Sequence, residues 1–387
     1  MKKLAIITTH PIQYNAPWFR LLAQKGNITI MVFYTWGQSQ EGQKYDPGFG
    51  TNITWDIPLL TGYDHCFVEN ISTSPGSHHF KGIDNPTLIA QIEQWNPTAL
   101  LVFGWSFKSH LKLLRHFKGK RKILFRGDST LLDESDGFSF KKKIRRLFLQ
   151  WVYSHIDIAL YVGTANKEYF LAHGLKNTQL VFAPHAIDND RFMEDVAWNK
   201  RSELRIPPNL LVFIFAGKFE AKKDPQILLD SFIQLGDTDA HLLMVGSGEM
   251  ETSLKTKARQ QPPGICERIH FLPFQNQLNM PGIYRTGDIF VLPSRGPRET
   301  WGLSVNEAMA CSRTVLVSDK CGCAVDLVEP GINGFVFKNK DGNDLLKKME
   351  MLLLNHQATA DMGKRSLQII QSWSFEKICI AIEQSMA

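Results

Sequence analysis

The stretch Val291–Glu329 reads VLPSRGPRETWGLSVNEAMACSRTVLVSDKCGCAVDLVE. It opens on the end of an apolar strand, Ile289-Phe290-Val291-Leu292, broken by Pro293. A polar loop, Ser294 to Arg298, leads into Glu299-Thr300-Trp301-Gly302-Leu303-Ser304 and an apolar periodic run, Val305 to Ala310. A second strand, Thr314 to Ser318, follows, then a glycine-bearing turn, Cys321-Gly322-Cys323. Strand, loop, helix, strand is the unit of a parallel sheet, and ligands of such sheets sit beyond the strands' carboxyl ends. Both polar loops fall at carboxyl ends and are expected to face one crevice.

Two carboxylates, Glu299 and Glu307, stand out. The sequence places Glu299 in the loop and Glu307 in the first helical turn, with Gly302 allowing a close backbone approach. A helix N-terminus there would attract phosphate, and a carboxylate there could accept hydrogen bonds from sugar hydroxyls. The same residues have a second reading: Ser304-x-x-Glu307 matches a capping box, in which Glu307 only satisfies the helix start.

Glu299 to Glu307, with Gly302-Leu303 between and Ala308-Met309-Ala310 after, resembles the E-x7-E signature of retaining GT-B glycosyltransferases of family four. The likeness runs from Pro293-Ser294 to the strand Thr314–Ser318. It implies that Glu299 contacts the transferred sugar and Glu307 the nucleotide ribose. The backbone between them, Thr300 to Leu303, would meet the diphosphate. Trp301 stands where the family has Phe and would keep a flat apolar wall; Ser312-Arg313-Thr314 replaces Gly-x-Pro and alters a turn. Gly217-Lys218-Phe219-Glu220-Ala221-Lys222-Lys223 is similar to the family's Gly-Arg-Leu-x-x-x-Lys. The resemblance therefore puts Lys218 and Lys223 on the diphosphate, although Lys at 218 exchanges a bidentate fork for a point charge. Alone, these lysines read equally as solvated surface charges. Gly246-Ser247-Gly248 resembles the family's Gly-x-Gly turn beside the base, or is an ordinary tight turn. His10 follows the first strand, and Arg126-Gly127-Asp128 follows a later one. Arg126 is a candidate for phosphate, and Asp128 either orients an acceptor hydroxyl or caps Ser129-Thr130. Pro184-His185-Ala186-Ile187-Asp188 stands for the family's Pro-Asn-Gly-x-Asp linker.

The rest of the chain agrees with two α/β domains. Its 387 residues, 43% hydrophobic and 21% charged, describe a globular protein long enough for two cores. Strands alternate with helices throughout, apart from an irregular excursion at 35–77 suited to acceptor recognition. The expected architecture is GT-B: two Rossmann-like doubly wound parallel-sheet domains facing across a crevice. The acceptor domain is expected at 1–195 and the donor domain at 196–373. A helix at 374–387 would return to the first domain. The first βα turn has no G-x-G-x-x-G, which argues against a nicotinamide enzyme, and no P-loop lysine motif is present.

A metal is not expected, because the lysines and a helix N-terminus supply positive charge. Asp188/Asp190 lies in the linker and Asp237/Asp239 precedes a strand, neither placed for a diphosphate metal. The six cysteines lack zinc spacing, and Cys321-x-Cys323 reads as incidental. The N-terminus has no secretory cleavage site, so a cytoplasmic location is expected. The net charge of +6 concentrates at KGKRK (118–122) and KKKIRR (141–146). The second run enters the aromatic, apolar stretch Leu147–Tyr153. The segment Lys141–Tyr153 is either a helix lying on an anionic membrane or a solvated basic face. No nucleic-acid motif is present.

The function expected is retaining transfer of a sugar from a nucleotide-diphosphate sugar to a glycan or lipid-linked acceptor, in cell-surface polysaccharide or lipopolysaccharide assembly. A nucleotide-sugar epimerase of the same fold and a non-catalytic two-lobed binding protein remain open.

Overall fold

The computed structural model describes residues 2–37, 44–46, 48–134, 139–196, 198–236, 238–297 and 299–387. Arg298, Asp237 and residues 38–43 and 47 of the excursion lie outside the described residues. The chain divides into two compact units. One holds Met1–Lys44, Ile57–His185 and Phe375–Ala387; the other holds Tyr45–Asp56 and Ala186–Ser374.

The first unit contains β1 (Lys2–Thr8) and β2 (Ile28–Tyr34). The strands β3 (Lys44–Asp46) and β4 (Thr51–Ile53) form a small separate sheet of their own. The main sheet continues with β5 (His65–Phe67), β6 (Ala99–Phe103), β7 (Lys122–Arg126), β8 (Ile158–Tyr161) and β9 (Leu180–Phe182). Seven strands run in the order β5-β2-β1-β6-β7-β8-β9, every pair parallel. The second unit has β10 (Val212–Ala216), β11 (His241–Val245), β12 (Ile269–Leu272), β13 (Ile289–Leu292), β14 (Thr314–Ser318) and β15 (Gly334–Phe337). Its six strands run β12-β11-β10-β13-β14-β15, again all parallel.

The sequence dictates this arrangement through continuous apolar runs. Every residue of β10, β11, β13 and β14 is buried, the pattern of strands covered on both faces by helices. Phe213, Phe215, Phe232, Met244, Val291 and Leu316 form one core; Leu100, Val102, Ile123, Phe125 and Leu149 form the other. The helix Phe375–Ser385 belongs to the first unit, where Glu376 pairs with Lys25 at 2.5 Å and Cys379 Sγ lies 3.8 Å from Trp18 O.

Each main sheet holds one strand that went unread. The excursion contains β5, which extends the first sheet beyond β2, and β15 closes the edge of the second. Both are too short, at three and four residues, to carry a period. Strand order reverses between β1 and β6 in the first unit and between β10 and β13 in the second. Such reversals part the loops at the carboxyl edge and leave space for a ligand.

Candidate functional site

The second unit's reversal point assembles the site. β10 and β13 pair in parallel, with Ile214 beside Phe290, so the loops that follow them leave the sheet side by side. Arg295 N donates to Lys222 O at 3.0 Å and ties the two loops together. Lys223 ends the first loop just before Asp224 (φ 48°) and Pro225, which start the helix Pro225–Gln234. Glu299 lies in the second, before the helix that starts at Leu303.

Their side chains meet: Lys223 Nζ lies 2.6 Å from Glu299 Oε2. Ser294 Oγ donates to the same oxygen at 2.9 Å. Burial disfavours both charges, yet each partner outweighs it. The Lys223 ammonium and its neighbours Lys222 and Ser294 hold the Glu299 carboxyl below its ordinary range. The Glu299 carboxylate holds the Lys223 ammonium above its own. A doubly charged pair therefore persists at neutral pH in a low-dielectric place.

The turn after β11 closes on the same edge. Gly217 N donates to Val245 O at 3.0 Å, and Phe219 N to Ser247 O at 2.9 Å. Gly246 has φ +142°, and a Cβ there would stand 1.9 Å from Gly217 O, so only glycine fits. Lys218 Nζ pairs with Asp46 Oδ1 at 2.7 Å and sits 5.1 Å from the Phe49 ring centroid. Ser247 Oγ donates to Phe49 O at 2.9 Å. Asp46 and Phe49 thus lie across the Lys218 and Gly246–Gly248 loops of their own unit.

The helix after Glu299 runs Leu303–Ala310 and is capped by Gly302 in the left-handed region, φ 102°. Glycine takes the cap, so Ser304 is the second helical residue and Glu307 falls in the second turn. The capping-box reading fails for this reason, as does the first-turn placement of Glu307. Glu307 is 3% exposed and accepts a hydrogen bond from Tyr284 Oη at 2.7 Å. Tyr284, on the helix Met280–Thr286, aims the carboxylate. Trp301 is also buried; its indole N–H donates to Asn306 Oδ1 at 2.8 Å and its ring packs on Trp373 at 5.2 Å. The expected ligand wall is therefore core, and the segment Thr300–Leu303 presents backbone. Gly322 N donates to Glu299 O and Cys323 N to Trp301 O, each at 3.1 Å, fastening this segment to the loop after β14. Burial pushes the Cys321 and Cys323 thiols upward, which opposes metal-binding thiolates.

The first unit carries the remaining candidates. His10 Nδ1 lies 2.9 Å from Thr9 Oγ1, its ring edge-on to Trp36 at 5.4 Å. Asp128, half exposed, stands 3.8 Å from His185 Nε2. Burial pushes the His185 imidazole down, and Asp128 only partly offsets it. Arg126 departs from expectation. Its terminal nitrogens donate to Ala183 O and Pro184 O, both at 2.8 Å, and it is 4% exposed. The guanidinium braces the chain at the end of this unit, and both arms of its fork are taken, so the phosphate role is withdrawn. Asp188 caps the helix Asn189–Met193 by accepting from Arg191 N, a structural task. Sequence reasoning missed Ser294, Tyr284 and Asp46. Ser294, beside Pro293 at a strand end, carried a local signal; the other two are joined to their partners only by the fold.

Two Rossmann-like units, each built on an all-parallel sheet with a strand-order reversal, define the GT-B fold. Comparison with solved structures agrees across nearly the whole chain. Sucrose-phosphate synthase from Thermosynechococcus elongatus superposes with a TM-score of 0.72 at 16% identity, covering 99% of this chain and 98% of that one. Anabaena Alr3699/HepE in complex with UDP gives 0.71 at 16% identity, covering 99% of each. Residues 196–368 match the family described as glycosyl transferases group 1. The D-inositol 3-phosphate glycosyltransferase of Corynebacterium jeikeium is 28% identical over 245 residues, 59% of this chain and 57% of that protein. The chain spans about half the length of the curated relatives it matches.

Proposed function

We propose that the protein is a retaining glycosyltransferase that takes its sugar from a nucleotide-diphosphate donor. The observation that carries this reading is the buried Lys223–Glu299 pair at the second unit's strand-order reversal, inside the segment matching glycosyl transferases group 1. The second unit is the donor-binding domain. Lys218 and Lys223 hold the diphosphate and stabilise the charge that grows on it as the bond to the sugar breaks. Backbone N–H groups of Thr300–Leu303 reach the same phosphates. Glu307, aimed by Tyr284, accepts from ribose hydroxyls, and Glu299 from the transferred sugar. Gly246 and Gly248 let the turn after β11 pack on the Gly217–Phe219 backbone, and that turn lies beside the base.

The C1–O bond to the diphosphate breaks, and the acceptor oxygen bonds C1 on the same face. The acceptor proton passes to the departing phosphate oxygen. Two ammonium groups meet the leaving-group charge, so no metal is required. The first unit is the acceptor-binding domain, where Asp128 orients an acceptor hydroxyl. That acceptor is a glycan or lipid-linked glycan of cell-surface polysaccharide or lipopolysaccharide assembly, met on the cytoplasmic side where nucleotide sugars are made. The complex of the Anabaena protein with UDP makes uridine diphosphate sugars the first donors to try.

The test is release of nucleoside diphosphate from a panel of donors, with and without lipid-linked acceptor. Acceptor-dependent release with the anomeric configuration kept, read by NMR, supports the reading. Conversion of the donor into its epimer without acceptor would indicate an epimerase, and binding without any turnover a non-catalytic protein.

A further inference from the structure

The helix Phe140–Tyr153 of the first unit has two apolar faces. Leu149, Val152 and Tyr153 fill the core beneath it. Phe140, Ile144, Leu147, Phe148 and Trp151 point the other way, 40% to 70% exposed. At about 100° per residue these five fall within roughly 100° of arc, one stripe along the helix. An ordinary surface helix needs only its inner stripe, so the outer one is surplus. Contiguous exposed apolar surface of this kind marks a site of interaction.

The charge around the stripe selects the partner. Lys141 and Lys143 border it on its two sides, and Lys142, Arg145 and Arg146 add further cations, with no acidic residue in the helix. Glu134 pairs with Arg145 at 2.9 Å and lies 3.9 Å from Arg146, and so neutralises part of this charge. The neighbouring helix Lys108–Phe117 also has no acid, and its Arg115 guanidinium stands 5.8 Å from the Trp151 ring. Phe148 packs edge-on against Trp105 at 5.5 Å, which fixes the stripe's aromatic end to the fold. We infer that this face docks on an anionic lipid surface, the apolar stripe entering the acyl boundary and the flanking cations meeting the headgroups. A second copy of the chain fits poorly, since matching faces would oppose like charges. Nucleic acid fits poorly too, because Ile144 and Leu147 offer no plane for a base to stack on. The inference stands independently of the sugar-transfer reading.

Flotation of the full-length protein with vesicles tests it. Vesicles of phosphatidylcholine alone are compared with vesicles containing about one-third phosphatidylglycerol, at low and high salt. The expected result is binding at least about tenfold stronger to the anionic vesicles, weakened by salt. One variant carries Ile144→Ser, Leu147→Ser and Trp151→Ser; a second carries Lys141→Glu and Lys143→Glu at solvent-facing positions. Each is expected to lose about tenfold in binding while keeping its melting temperature and nucleotide affinity. Equal partitioning of the wild type onto both vesicle types, or variants that bind as it does, would overturn the inference. So would a dimer in solution that the serine variant dissolves while vesicle binding is absent, which would give the face to a second copy. Should the serine variant fail to fold, the charge-reversal variant decides.

Discussion

Lys223 Nζ stands 2.6 Å from Glu299 Oε2, with only 18% and 7% of the two side chains exposed. A buried pair of this kind contributes little net stability, because desolvation consumes most of the attraction. It does keep a full positive and a full negative charge in a place shielded from water, as the proposed reaction requires. Lys223→Ala is expected to lower turnover by about two to three orders of magnitude, the scale for removing one group that meets developing charge. It should also cost about 3–5 kcal/mol in stability, because Glu299 is left buried alone. Steady-state kinetics and urea unfolding read the two effects separately, and Lys223→Arg, which keeps the charge, should recover most of the stability.

The same pair sets a pH dependence. The Glu299 carboxyl is held below its ordinary value of 4.5, so its contribution is present above that pH and fades as acid titrates the folded form. The Lys223 ammonium is held above 10.5, so its contribution is present below that pH and fades as alkali titrates it. In Glu299→Gln the loss of stability below about pH 4.5 should flatten. Urea midpoints across pH 3–6 check this; an unchanged acid slope would mean that the fold does not hold the Glu299 carboxyl below its ordinary range.

Asp46 occupies Lys218 with a carboxylate, as a phosphate oxygen would, at 2.7 Å. Burial works against the Asp46 charge, but Lys218 and the backbone N–H groups of Gly48 and Phe49 hold its carboxyl down. If Lys218 binds diphosphate, the two anions compete. Asp46→Asn should then tighten nucleoside diphosphate binding by about threefold to tenfold, the worth of one partly exposed charge contact. Calorimetry measures it, and weaker binding would exclude competition at Lys218.

Tyr284 Oη donates to Glu307 at 2.7 Å from a fully buried ring. Tyr284→Phe keeps the packing and removes one hydrogen bond, worth about 1 kcal/mol. If Glu307 holds the ribose as proposed, the donor KM should rise about fivefold with kcat little changed, because such binding is uniform between ground and transition states. A fall in kcat alone would move Glu307 to the chemical step.

In the proposed reaction Lys218 and Lys223 supply the charge that a metal would otherwise bring. Transfer should therefore be insensitive to EDTA and to added magnesium or manganese. A chelator-sensitive rate restored by one divalent ion would contradict that assignment.

Much of this molecule could be read from the chain because parallel strands are written as unbroken apolar runs. Val212–Ala216, His241–Val245 and Ile289–Leu292 lead straight into the loops that hold Lys218, Gly246 and Glu299. Glu307 was harder. Ser304-x-x-Glu307 fits a capping box, and only the left-handed Gly302 decides that the cap lies two residues earlier. Arg126 stands at a strand end like the site residues, but its fork turns to carbonyls 57 and 58 residues on. Asp46 reaches Lys218 across 172 residues, with no local pattern to announce it. Strand ends say where a site lies; the direction of each side chain belongs to the packing.

The most direct measurement is calorimetric titration of the full-length protein with UDP, GDP, ADP and TDP, repeated on Lys223→Ala and Glu307→Ala variants verified as folded. One nucleotide should bind with one-to-one stoichiometry, and both variants should lose that binding by about two orders of magnitude. Absence of binding by all four, or affinity unchanged in the two variants, would contradict the assignment of this edge of the second sheet to a nucleotide sugar.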